Sequence, residues 1–415
     1  ENLVIFNACI ITNSKFMPLE QATDIRVLNN LIRMLKPDLI ISDKQNKYKV
    51  PSSKFLKIKS DNSFNWVGRK SVENFDNKIE SSLIINSSGT TSKGKIIEID
   101  IERLIKSSLQ IKKFYSLNKR TFMNLMSTSY LGGLFNLYLI PIISNSNIVF
   151  FETFGTFDTL KLIKHIDKYK IDTLWINPSL VKSIYELNFK NKFKFKKKIK
   201  NIFCGTAYLS KDIKRLFMNR YKISILESYG LTETTFISCE KKNSRFKFSP
   251  GYVGQIMDGI KIIIKKKRRS KYGSLLVKSP YIFKRYLGNK SFGRKLYSTK
   301  VFDTEDLGFL KNKKHLFLVG RNNQLIKKRG YFVNLNFIES KILKLNFIDE
   351  VKARPILDND KLENFDLYIK IKKNVKIKVD KLNKTIRNYL NINEQPRNNY
   401  IVKKFEKTIS GKIKF

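Results

Sequence analysis

A chain of 415 residues with 42% apolar content and a net charge of +47 is long enough for two or three domains and too apolar to be disordered. No uninterrupted apolar run reaches spanning length and the N-terminus carries no signal-peptide pattern, so neither a transmembrane segment nor a secretory leader is expected. Three widely spaced cysteines and two histidines leave no disulfide framework, no metal cluster and little material for a Ser-His-Asp triad. They fit a reducing, cytoplasmic setting. The chain starts at Glu1 and not Met, so its start is processed or missing. The lysines run along the whole chain, with clusters at 193–200 and 264–271, beside an excess of Asn and Ile. That spread fits the coding bias of an AT-rich gene better than a nucleic-acid surface, and no nucleic-acid partner is expected.

In chain order, residues 1–80 read as irregular, with a helix near 22–35 and a strand at 38–42. A short apolar strand at 82–85 is followed by Asn86-Ser-Ser-Gly-Thr-Thr-Ser-Lys-Gly-Lys95, and a helical pattern begins near Ile99. Such a loop can turn backbone N–H groups and hydroxyls toward a phosphate chain while Lys93 and Lys95 supply charge. It does not have Walker A spacing, and a polar turn in a lysine-rich protein is the plain alternative. From 81 to about 235, strands at 83–85, 122–126, 147–151, 173–176, 201–203 and 224–227 alternate with helices at 101–115, 157–169 and 179–187. Alternation of this kind predicts a layered α/β fold with a mostly parallel sheet. Short strands at 254–257, 260–265, 273–277 and 316–319 predict a β-rich subdomain. After residue 321 a compact α+β unit follows. The expected division is 1–321, a large N-terminal domain, and 322–415, a small C-terminal one.

Further stretches join the first loop: Phe203-Cys-Gly-Thr-Ala-Tyr-Leu-Ser210, Glu227-Ser-Tyr-Gly-Leu-Thr-Glu-Thr-Thr235 and Phe302-Asp-Thr-Glu-Asp-Leu-Gly-Phe309. Val319-Gly-Arg-Asn-Asn-Gln-Leu-Ile-Lys-Lys-Arg-Gly-Tyr331 and Ile409-Ser-Gly-Lys412 complete the series. In this order, over residues 81–415, the chain resembles the adenylate-forming superfamily of acyl-CoA synthetases, luciferases and peptide-synthetase adenylation domains.

The resemblance implies ATP, Mg²⁺ and CoA, or a carrier-protein phosphopantetheine, as cofactors. Ser87, Ser88, Thr90, Thr91 and Lys95 would hold the β- and γ-phosphates, with Gly89 allowing close backbone approach. Glu233 would hold Mg²⁺, and Thr232 would contact the α-phosphate. Tyr229, next to Gly230, would stack on adenine, and Gly205, Thr206 and Ala207 would line the base pocket. Asp306 and Arg321 would hold the ribose. Lys412 would neutralise charge between the carboxylate and the α-phosphate, Asn323 would be the hinge between domains, and Gly330 would let pantetheine pass. Tyr130-Leu-Gly-Gly-Leu-Phe135 resembles the acid pocket of acyl-CoA synthetases and lacks the Phe-Asp pair of amino-acid-activating members.

Departures from the pattern are Ser92 and Ile96 where glycine is usual, Gly94 for proline, Glu305 for glycine and Asn323 for aspartate or lysine. The stretch before the first loop is also short, so an N-terminal layer is expected to be reduced. The resemblance implies an ATP-dependent acid–CoA ligase acting on a small carboxylic acid, such as an aromatic, medium apolar or o-succinylbenzoate-type acid. An acyl-AMP ligase loading an acidic carrier protein, and a degenerate, non-catalytic basic binding protein, are the alternatives.

Overall fold

The strand Thr173–Ile176 is buried along its whole length, and its side chains alternate between two cores. Trp175 joins Phe122, Phe203 and Leu226 on one side, while Leu174 and Ile176 join Met123, Ile202, Cys204 and Ile225 on the other. Apolar residues on both faces of a pleated strand require cover on both sides of the sheet. The computed structural model describes residues 2–20, 23–42, 55–58, 64–66, 80–87, 95–151, 159–191, 195, 199–266, 271–288, 301–321, 324–328, 331–357, 363–373, 375–406 and 413. Helices Thr159–Lys168, Pro178–Asn191 and Lys211–Tyr221 pack on the second core. Ile101–Tyr115 and the buried π-helix Gly132–Leu139 pack on the first.

These strands are the parallel side of an eleven-stranded sheet. Asn147–Phe150, Thr121–Asn124, Thr173–Ile176, Asn201–Cys204 and Ile225–Leu231 run parallel in that spatial order. Beyond Ile225–Leu231 the sheet continues through Thr235–Cys239, Tyr252–Ile256, His315–Arg321, Phe302–Lys311, Gly273–Lys278 and Lys261–Lys266. Each of these is antiparallel to its neighbour. The β-rich part expected from the sequence is therefore joined to the parallel part by an unbroken ladder.

A second, four-stranded sheet has the order Lys15–Phe16, Ser82–Ser87, Lys95–Asp100, Arg285–Leu287. It corrects one expectation. The polar loop leads into a strand, not a helix, because Lys95–Asp100 pairs antiparallel with Ser82–Ser87 and the helix starts only at Ile101. The reason is again alternation: Ile97 and Ile99 enter the main core, while Ile96 turns to the other side against Leu31 and Ile84. Ile96, where the pattern usually has glycine, thus fills a small core of its own. The N-terminal stretch read as irregular holds a helix, Asn2–Ile11, whose Phe6 is fully buried in the main core. It is apolar nearly all round, so no helical stripe marks it in the sequence. The expected helix and strand that follow are Ile25–Leu35, capped by the Asp24 side chain, and Ile40–Ser42.

The smaller C-terminal domain has its own core, drawn from residues between Ile326 and Leu390. Helices Leu335–Ile342 and Val379–Tyr389 cover the sheet of Ile348–Leu357, Glu363–Ile371 and Asn399–Ile401. Among the described residues no helix is long and apolar enough to cross a membrane.

Candidate active site

The large sheet changes direction at Ile225–Leu231, which is parallel to Asn201–Cys204 and antiparallel to Thr235–Cys239. In open α/β sheets, ligands collect outside the carboxyl ends of parallel strands at such a switch. Several of the residues singled out by sequence lie there. Gly205, Thr206 and Ala207 directly follow Asn201–Cys204, Tyr229 and Gly230 close the switch strand, and Thr232 and Glu233 form the turn beyond it.

Chemistry of the local backbone explains that turn. Leu231 pairs with Thr235 across the three residues 232–234, and the ladder bulges between Tyr229 and Gly230. A Cβ at Gly230 would lie 2.0 Å from the Thr235 carbonyl oxygen, so only glycine permits this bulge. The Thr234 hydroxyl accepts from the Leu231 N–H at 3.2 Å, and the Thr235 hydroxyl lies 2.9 Å from Ser107 on the helix behind. Turn and helix are thus held together, and Glu233 projects from a fixed base.

Two clusters form around this turn. In the first, the buried Tyr229 hydroxyl donates to Asp306 Oδ2 at 2.6 Å, and Arg321 Nε donates to Asp306 Oδ1 at 3.2 Å. Asp306 and Arg321 are directly paired residues of adjacent strands. Burial, reinforced by the Asp306 charge, pushes the Tyr229 phenol well above its usual range, so it remains a donor. In the second cluster, the Tyr286 hydroxyl donates to Glu233 Oε1 at 3.0 Å. The Lys95 ammonium lies 5.4 Å from the centre of the same Tyr286 ring. Lys95 itself sits at the mouth of the Ser82–Ser87/Lys95–Asp100 hairpin, opposite Ser87.

Thr206 adds a polar orphan. Its hydroxyl oxygen is buried and has no hydrogen-bond partner among the described residues. Its backbone is left-handed at φ 73°, an outlier for a β-branched residue and a form of strain that collects at binding sites. Glu305 also adopts a left-handed φ, 59°. That is a conformation in which glycine is at home, which accounts for the glycine usual at this position.

Beneath the switch strand lies a charge cluster that the sequence reading missed. The fully buried Lys214 donates to Glu227 Oε1 at 2.9 Å and to Glu240 Oε2 at 2.5 Å. Lys211 pairs with Glu227 and donates to the Tyr252 carbonyl at 2.9 Å. Burial opposes ionisation of Lys214, yet the two carboxylates outweigh it and hold the ammonium above its ordinary value. Burial pushes the Glu240 carboxyl up, against the pull of Lys214. Tyr286 was missed too; its only local mark is an aromatic beside a basic run. Ser88, Gly89, Thr90, Thr91, Ser92, Gly94, Asn323, Gly330 and Lys412 lie outside the described residues.

Comparison with known proteins agrees with this fold. A family model described as AMP-binding enzyme matches residues 7–287. A curated relative, 4-coumarate–CoA ligase-like 9 of Arabidopsis thaliana, is 24% identical over 331 residues, covering 74% of this chain and 58% of that protein. The chain therefore spans little more than half the length of that relative. Among solved structures, ATP-bound MatB from Rhodopseudomonas palustris superposes with a TM-score of 0.82 at 18% identity. It covers 99% of this chain and 84% of MatB. The o-succinylbenzoate coenzyme A synthetase MenE of Bacillus subtilis, in complex with ATP and magnesium ion, gives 0.82 at 16% identity, with 99% and 86% covered. At such identities the two structures speak for the fold, and the family model spans well over half the chain. This chain belongs to the AMP-binding enzyme family.

Proposed function

We propose that the protein is an ATP-dependent acid–CoA ligase that activates a carboxylate as its acyl-adenylate. The observation that carries this reading is the tie of Tyr229 and Arg321 to the two oxygens of Asp306, at the carboxyl end of the switch strand. It fixes a buried carboxylate that would hold ribose hydroxyls, beside an aromatic residue that would meet the base. The unpartnered Thr206 hydroxyl fits a ligand contact at the same rim.

In the first half-reaction a substrate carboxylate oxygen attacks the α-phosphorus, the bond to the β-phosphate oxygen breaks, and pyrophosphate leaves. In the second, a thiol sulfur attacks the acyl carbonyl, the bond to AMP breaks, and the thiol proton passes to solvent. Both steps gain most from positioning and from charge held in place before reaction. Lys95 and Ser87, with the loop between them, would face the β- and γ-phosphates. Thr232 would face the α-phosphate, and Lys412 would approach it from the C-terminal domain. Glu233 fits Mg²⁺, a hard cation that is held by one or two carboxylates together with phosphate oxygens. When bound, Mg²⁺ would supply positive charge to the phosphates.

One tail lysine and an incoming pantetheine cannot occupy the same approach together. We therefore assign 1–321 and 322–415 as domains that rotate about Asn323 between the two steps, with Gly330 lining the thiol path. The curated relative is named as CoA ligase-like, which favours CoA as acceptor, and the three free cysteines suit the reducing cytoplasm. A panel of aromatic and medium-chain acids, each with Mg²⁺ and ATP, should release pyrophosphate with at least one member. CoA should then give the thioester and AMP. Thioester formed only with a phosphopantetheinyl carrier would select the carrier-loading alternative, and no pyrophosphate with any acid would sink the enzyme reading.

A further inference from the structure

We infer that Tyr286 is a positioning residue that joins the phosphate hairpin to the Glu233 turn, so that cation site and phosphate site form as one unit. Tyr286 lies in Arg285–Leu287, the outer strand of the small sheet. That strand is bound to both partners. On one side it pairs with Lys95–Asp100, placing Tyr286 opposite Ile97 and Arg285 opposite Glu98. The register is locked by charge: Arg285 Nε donates to the fully buried Glu98 carboxylate at 2.6 Å, and Lys15 stands 3.3 Å from its other oxygen. On the other side, the Phe283 N–H donates to the Glu233 carbonyl at 2.8 Å, and the Tyr286 hydroxyl reaches the Glu233 carboxylate. Glu233 is thus held at both ends, backbone and side chain, by the segment 283–286.

The ring performs a second task. Lys95 lies over its face, where a cation is attracted by the ring quadrupole. Phe283 packs against the ring at 4.5 Å between centroids, so the ring has little room to turn. The hydroxyl's bond to Glu233 Oε1 at 3.0 Å fixes the orientation of that carboxylate. With Oε1 held by that donor, Oε2 is the atom offered to a cation. Phosphates bound by Lys95 and a cation bound by Glu233 would then be spaced by one rigid side chain.

The inference rests on the Mg²⁺·ATP reading above, and the test separates the two. Binding of ATP is measured by calorimetry across a Mg²⁺ series, on the full chain, for wild type, Tyr286→Phe, Glu233→Gln and the double variant. Tyr286→Phe keeps the ring and removes the hydroxyl. Its Mg²⁺ midpoint should rise roughly tenfold, as expected for loss of one hydrogen bond to a charged group, while ATP affinity without Mg²⁺ stays within about twofold. If Tyr286 acts through Glu233, the double variant should need no more Mg²⁺ than Glu233→Gln alone. A wild type that binds ATP with no response to Mg²⁺ overturns the cation reading, and the inference with it. Wild type responding normally while Tyr286→Phe matches it, or effects that simply add in the double variant, overturns the inference alone. Thermal unfolding of each variant accompanies the titrations, and an additive loss of stability without a midpoint shift also counts against it.

Discussion

Lys214→Met tests how much of the active-site strand depends on charges beneath it. The lysine side chain is fully buried and bonded to both Glu227 and Glu240. With all four groups ionised, Lys211, Lys214, Glu227 and Glu240 sum to zero. Met keeps most of the apolar stem and removes the charge, leaving two buried carboxylates facing one ammonium. Breaking a buried pair from one side costs about 3–5 kcal/mol, because the surviving charge is left without its partner. Glu240, already pushed up by burial, would rise further and take up a proton. A carboxylate whose folded pKa exceeds its unfolded one stabilises the fold at low pH and loses that contribution as pH rises. The penalty should therefore be larger at pH 8 than at pH 5.

Denaturant unfolding followed by tryptophan fluorescence measures the loss, and ATP binding reports whether the strand carrying Tyr229 still presents its ligands. The decisive comparison is Lys214→Met with Glu240→Gln in one chain. That variant restores neutrality and keeps an oxygen for the Glu227 N–H, which now donates to Glu240 Oε2 at 3.0 Å. It should recover roughly 1–2 kcal/mol of the loss. If the double variant is as unstable as the two single losses added, the charge argument fails and Lys214 matters only as packed volume.

Glu305→Gly should stabilise the protein by about 1 kcal/mol in the same unfolding assay, since the position is left-handed at φ 59° and the side chain is exposed. Burial opposes ionisation of Glu98, yet Arg285 and Lys15 outweigh it and hold the carboxyl below its ordinary value. Its stabilising share is present above the ordinary carboxylate range and is lost as pH falls through the lowered value, so Glu98→Gln should flatten the acid limb of a stability–pH curve. Lys412→Ala should slow adenylate formation by about 2–4 kcal/mol of barrier while thiolation of preformed acyl-AMP continues. Pyrophosphate release and thioester formation, assayed separately, check this.

Where local chemistry decides structure, the sequence was readable. Thr173–Ile176 and Asn201–Cys204 are short apolar runs between polar turns, and Asn177 before Pro178 marks the next helix start; the Asn177 side chain accepts from the Leu180 N–H at 2.8 Å. Lys95–Asp100 was not readable as a strand. Its Ile-Ile-Glu-Ile-Asp pattern runs straight into Ile101, and only pairing with Ser82–Ser87 decides between strand and helix there. Tyr229, Asp306 and Arg321 each stand in a motif of their own, which singles them out in the sequence. Tyr286 stands in none. Its bond to Glu233 spans 53 residues, and the Arg285–Glu98 bond that seats its strand spans 187; neither leaves a local trace in one sequence.

The charge balance gains a physical meaning once burial is known. Among the described residues five carboxylates are buried: Glu98, Glu227, Glu240, Asp306 and Asp366. Each faces a Lys or Arg within ion-pair distance. Acidic residues are outnumbered 82 to 35, yet several of them are spent inside, on strands that carry the candidate site. A carboxylate buried without a partner would be neutralised by protonation, and a site built on it would change with pH. A cation excess makes partners easy to recruit, as Lys211 and Lys214 do from one helix turn. It follows that the surplus positive charge is a surface property, whereas the interior around the switch strand is close to electroneutral. The surface can therefore drift in composition, lysine for arginine or asparagine, without disturbing Asp306 or Glu233, and the positions that cannot drift are the cations that face these buried acids, together with Lys95 and Lys412, proposed for the phosphates.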